Sequence, residues 1–123
     1  MEDQYLFVYG WLKRNHHLQL PFEMPKIFLG EAYTYGMMYK VAEYPGIKLI
    51  GSNKVFGEIF ELPPEFDWSK MDAFEHAAPY IEKDADYRRV QTTCYLDNEP
   101  LSCWIYEYIG EVKASDLIVS GQY

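Results

Sequence analysis

Phe28-Leu29-Gly30-Glu31-Ala32-Tyr33-Thr34-Tyr35-Gly36-Met37-Met38-Tyr39-Lys40-Val41 is the stretch on which the fold turns. It is rich in Tyr and Met, residues that suit a pleated, half-buried surface, and it is punctuated by two glycines. Glycine inside a strand marks a bend or a bulge, so the pattern predicts one long strand bent at Gly30 and Gly36. Strong bending favours a barrel over a flat sheet.

Upstream, Tyr5-Leu6-Phe7-Val8-Tyr9 is a short run of aromatic and branched residues stopped by Gly10, as expected of a central strand buried on both faces. Leu12 to Leu20 is helix-compatible and ends before Pro21, and 21–25 reads as a connection. Downstream, Pro45-Gly46 supplies the central pair of a type II turn, and Gly51-Ser52-Asn53 a second turn before a strand from Val55 to Leu62. Pro63-Pro64-Glu65 then breaks the strand pattern, and a helix is predicted from Glu65 to Ala78. Tyr87 to Leu96 and Leu101 to Ile109 form a hairpin about Asp97-Asn98-Glu99-Pro100, and a short helix follows near Ala114 to Val119. The expectation is an α+β chain, a small mixed β-barrel flanked by short helices, with 1–123 as one domain.

With 123 residues, 49% hydrophobic and twelve tyrosines, the chain has ample material for one core. Nineteen acidic against eleven basic residues give a net charge of −8, which repels a phosphate backbone and disfavours nucleic-acid binding. No apolar run approaches the ~20 residues that cross a bilayer, and Met1-Glu2-Asp3-Gln4 is acidic where a signal peptide is basic, so a cytoplasmic, membrane-free protein is expected. Counting outward from the hairpin turn sets Cys94 opposite Cys103; a disulfide is conceivable there, and two reduced strand thiols are the plainer reading. His16 and His17 are adjacent and lack the i, i+4 spacing of a helical metal pair, so no metal site is expected.

Two features carry chemistry. On the predicted helix, Trp68, Met71, Phe74 and Ala78 share an apolar face, and Glu75 falls within it. A carboxylate taken out of water either finds a partner or has its pKa raised towards neutrality, which suits a group that accepts and returns a proton near pH 7. The alternatives are that Glu75 swings to solvent at the helix end or pairs with Arg88 or Arg89. Asp72 lies further from the stripe and reads as a solvated face residue. The second feature is Tyr9-Gly10-Trp11-Leu12, where a glycine directly after a buried strand lets the backbone turn and offer N–H groups to an anion such as a carboxylate.

Phe7-Val8-Tyr9-Gly10-Trp11-Leu12-Lys13-Arg14 resembles the opening of the γ-glutamylcyclotransferase-like family, Val-Tyr-Gly-(Thr/Ser)-Leu followed by basic residues. Phe28 to Ala32, Tyr44-Pro45-Gly46, Val55 to Phe60, Met71-Asp72-Ala73-Phe74-Glu75, Tyr87-x-Arg89-x-x-Thr92, Trp104-Ile105-Tyr106 and Ser120-Gly121 resemble further landmarks of that family in the same order. The resemblance implies Glu75 as the catalytic acid/base and Tyr9, Gly10, Trp11 and Leu12 as the substrate loop. It also implies a cofactor-free cyclisation of a small γ-glutamyl compound to 5-oxoproline. Trp11 stands where the family usually has Thr or Ser, and His76 where a Gly commonly follows the glutamate. A non-catalytic module that binds a small ligand in a pocket altered by Trp11 is the alternative on the same fold, and a scaffold that offers its tyrosines as a contact surface is a third.

Overall fold

The computed structural model describes residues 4–9, 26–41 and 44–122. Eight strands run in chain order: β1 Gln4–Val8, β2 Ile27–Tyr35, β3 Met37–Val41, β4 Tyr44–Lys48, β5 Lys54–Leu62, β6 Ala77–Ala78, β7 Tyr87–Leu96 and β8 Glu99–Tyr108. The helix α1 Trp68–Glu75 lies between β5 and β6. The strands form one sheet in the order β3-β4-β8-β1-β5-β2-β7-β6, and an additional β7–β8 pairing closes the ring β8-β1-β5-β2-β7. The barrel is therefore closed and mixed: β1 runs parallel to β8 and antiparallel to β5.

The bent stretch is irregular at Gly30 as expected, but at Gly36 the single long strand is replaced by two strands, of which β3 lies outside the ring. The register of β2 against β5 shifts between Phe28 and Gly30, and the strand stops at Gly36 before β3 sets off. Leu6, Phe7 and Val8 are all buried, as a central strand requires. The core has two parts. Leu6, Val8, Phe60, Leu62, Tyr87 and Tyr106 pack with Met71 of α1, while Phe7, Tyr9, Ile47, Val55, Ile59 and Ile105 form the second group with both cysteines.

Several expectations are corrected. Pro45-Gly46 is not a turn but lies within β4, opposite Lys40 and Tyr39 of β3. A Cβ at position 46 would come 2.6 Å from Cβ of Tyr108, so glycine serves a close approach of strands and not a change of direction. The β7–β8 turn is two residues long: Asp97 and Asn98 both have positive φ, and Leu96 pairs with Glu99, so Pro100 is already in the strand opposite Tyr95. Cys94 consequently faces Leu101 and Cys103 faces Thr92, and the two free, buried thiols are diagonal neighbours. The terminal helix reduces to a single 3-10 turn, Ala114–Asp116, after which Leu117 bridges to Tyr39. The segment 12–20 lies outside the described residues. No helix among the described residues is long and apolar enough to cross a membrane.

Candidate functional site

α1 is shorter than its periodicity suggests, because both ends are set by local chemistry. Asp67 caps the N-terminus, its carboxylate accepting the Ser69 N–H at 3.1 Å. At the other end His76 adopts the left-handed conformation, φ 54° and ψ 55°, and donates its N–H back to Ala73 O. The chain then enters β6, so Ala78 belongs to a strand and not to the helical stripe. His76 O accepts the Asp86 N–H at 2.9 Å, and His76 Nδ1 lies 3.0 Å from Asp86 Oδ2. Glu75 is thus the last helical residue, held between α1 and the β6 pairing with β7.

Glu75 is half-buried as a residue, and its carboxyl group is the enclosed end; burial pushes that carboxyl up from 4.5 to about 7. Among the described residues, none forms an ion pair or hydrogen bond with it. The two arginines weighed as partners are engaged elsewhere: Arg88 binds Glu107 at 2.7 Å and Arg89 binds Asp72 at 2.9 Å.

Asp72, expected on a solvated face, is instead fully buried at 1% exposure. Arg89 Nε and Nη2 donate to its two oxygens at 2.9 and 3.3 Å, and the Tyr106 hydroxyl donates to Oδ1 at 2.7 Å. The Arg89 guanidinium packs on the indoles of Trp68 and Trp104, 4.6 Å from each, and the two rings are themselves in tilted contact at 5.8 Å. Sequence reasoning missed this cluster. Its available signal was an acid one turn before Glu75 accompanied by an Arg and two Trp of matching chemistry.

Tyr9 directly follows β1 and is buried. Its hydroxyl donates to Tyr106 O at 2.6 Å and accepts the Ile47 N–H at 3.2 Å, which ties the end of β1 to β8 and β4. Burial, and after it the neighbouring Tyr87, raise its pKa well above the ordinary tyrosine value; Glu75 and Glu107 add to the rise. Burial likewise raises Tyr106, with Asp72 and Glu75 contributing. Tyr87 donates its hydroxyl to Pro45 O at 2.9 Å. Of the four loop residues expected to hold substrate, Tyr9 is therefore within electrostatic reach of Glu75, while Gly10, Trp11 and Leu12 lie outside the described residues. Among the described residues, no group of three His, Cys, Asp or Glu could hold a metal ion.

The arrangement can shelter one proton-exchanging carboxyl beside buried phenols. Solved structures share the fold. An uncharacterised protein of Pyrococcus horikoshii is 21% identical over 97% of this chain and 88% of its own, with a TM-score of 0.63. The ytfP protein of Escherichia coli is 22% identical over 98% and 96%, with a TM-score of 0.61. A γ-glutamyl cyclotransferase is 15% identical over 88% and 68%, with a TM-score of 0.65. No curated protein matches. Residues 6–123 match the pattern of a single family across the whole barrel and α1, and the chain belongs to that family, gamma-glutamyl cyclotransferase, AIG2-like.

Proposed function

We propose that the protein is a γ-glutamylcyclotransferase, cyclising the γ-glutamyl group of a small amide or peptide to 5-oxoproline and releasing an amine or amino acid. The observation that carries this reading is the enclosed Glu75 carboxyl, held near neutrality by burial at the end of α1. Family membership and the solved cyclotransferase of the same fold support it.

The nucleophile is part of the substrate. Glu75 takes a proton from the α-ammonium, and the freed amine attacks the γ-carbonyl carbon, forming the ring C–N bond. As the tetrahedral intermediate collapses, Glu75 gives that proton to the leaving nitrogen and the γ C–N bond breaks; Glu75 then takes the ring nitrogen's surplus proton, which passes to the departing amine, leaving neutral lactam and an ammonium product. Tyr9, Gly10, Trp11 and Leu12 hold the α-amino and α-carboxylate ends through backbone groups. Folding the substrate into its reactive shape contributes up to about 7–11 kcal/mol, which leaves modest demands on the acid/base.

The test is a panel of γ-glutamyl amides, amines and dipeptides assayed for 5-oxoproline. At least one member turns over, and Glu75→Gln lowers kcat by about 10²–10⁴-fold without unfolding the protein. Silence across the whole panel would sink the assignment. A carboxyl that must be ionised to accept the proton also places the acid limb of kcat/KM at about pH 7, with activity falling as pH drops through it.

A further inference from the structure

Two elements bear the proposed site, and they touch the barrel through a common strand residue. The carbonyl of Tyr106 receives the Tyr9 phenol, and the Tyr106 hydroxyl reaches Asp72, one helical turn before Glu75. Arg89 of β7 grips the same carboxylate through two bonds while packing on Trp68 and Trp104. Asp72 thus spends its oxygens on two neighbouring strands, a large commitment for a residue 1% exposed. The charge next to Glu75 is settled by the same contacts. An arginine left without this partner would be free to turn its charge on the next carboxylate along the helix.

We propose that Asp72 is the positioning residue for Glu75: anchored by Arg89 and Tyr106, it fixes the helical turn that carries Glu75 and keeps the Arg89 guanidinium engaged away from the Glu75 carboxylate. The inference rests on the reading of Glu75 as the acid/base. That carboxylate is electrostatically coupled to Tyr9, which follows β1, and to Tyr106 of β8; Asp72 and His76 lie on its own segment, and Tyr87 and Arg89 of β7 and Glu107 of β8 stand beside those two phenols. His76 is occupied by Asp86 and Glu107 by Arg88, so Asp72 and Arg89 form the adjustable pair.

Asp72→Asn deletes the anion and keeps the shape. With the neighbouring negative charge gone and Arg89 uncompensated, ionised Glu75 is favoured, so its pKa falls by about one unit or more. Carboxyl ¹³C NMR of glutamate-labelled protein reads this directly, the Glu75 signal being the one that Glu75→Gln removes. Tyr106→Phe leaves Arg89 on Asp72 and deletes one anchor. It lowers kcat on the order of tenfold while KM changes less than about threefold, because geometry at the acid/base is lost before substrate affinity. Should Asp72→Asn fail to fold by circular dichroism, Tyr106→Phe decides through kcat.

A folded Asp72→Asn whose Glu75 titrates as in the parent overturns the proposal, and so does a Tyr106→Phe with parental kcat. If no γ-glutamyl compound turns over and the Glu75 signal still shifts in Asp72→Asn, the assigned activity fails and the positioning role stands. If the parent is active and both variants keep its rate and pH profile, the activity stands and the positioning role fails.

Discussion

Each time Glu75 ionises inside the folded protein, the fold gives up part of its stability. The carboxyl titrates at about 7 when folded and near the ordinary 4.5 when unfolded, so between those values the native state holds the extra proton. Its stabilising contribution is full below about pH 4.5 and is lost as pH rises through 7. Glu75→Gln, which cannot ionise, is therefore expected to be more stable than the parent at pH 8 by on the order of 2 kcal/mol, with the gap closing below pH 5. Urea unfolding of both proteins at the two pH values checks it, and an equal gap at both would contradict the burial of this group. At this scale Glu75 was legible, because a carboxylate inside an apolar stripe is a local pattern. Asp72 was not, since its partners Arg89 and Tyr106 arrive 17 and 34 residues later on different strands.

Among the elements, α1 shows how one backbone angle shapes the site. The helix ends because His76 turns left-handed directly after Glu75, a conformation that a residue with a Cβ adopts at a cost of roughly 1 kcal/mol. The half-exposed pair with Asp86 offsets little of that. His76→Gly is expected to leave thermal stability within about 0.5 kcal/mol of the parent, whereas His76→Ile, β-branched at positive φ, costs on the order of 1–2 kcal/mol. Calorimetry distinguishes the two. The element boundaries that misled were those where proline and glycine had strand duties. Pro100 suggested a four-residue turn, but Asp97 and Asn98 take positive φ themselves and complete the reversal in two. Pro45-Gly46 has the composition of a turn, and only the proximity of Tyr108 explains why a strand needs that glycine.

For the molecule as a whole, the barrel was readable from the glycine-punctuated stretch at β2 and β3, because curvature is written locally even though closure is not. Closure depends on tight passages such as Gly57. A Cβ there would run into the Val8 carbonyl and come within 2.8 Å of the Phe7 ring. Gly57→Ala must force β1 away from β5, and a loss of at least about 3 kcal/mol is expected, measured as a fall in the urea midpoint. The seam itself is where the opening strand meets the final one, Leu6 beside Trp104. The β7–β8 hairpin can zip up by itself from its tight turn, but the ring cannot shut until segments almost a hundred positions apart have met. On a ribosome, then, β1 can find β5 once Leu62 has emerged, while its other edge stays unmatched and open to wrong partners until Trp104 has been made.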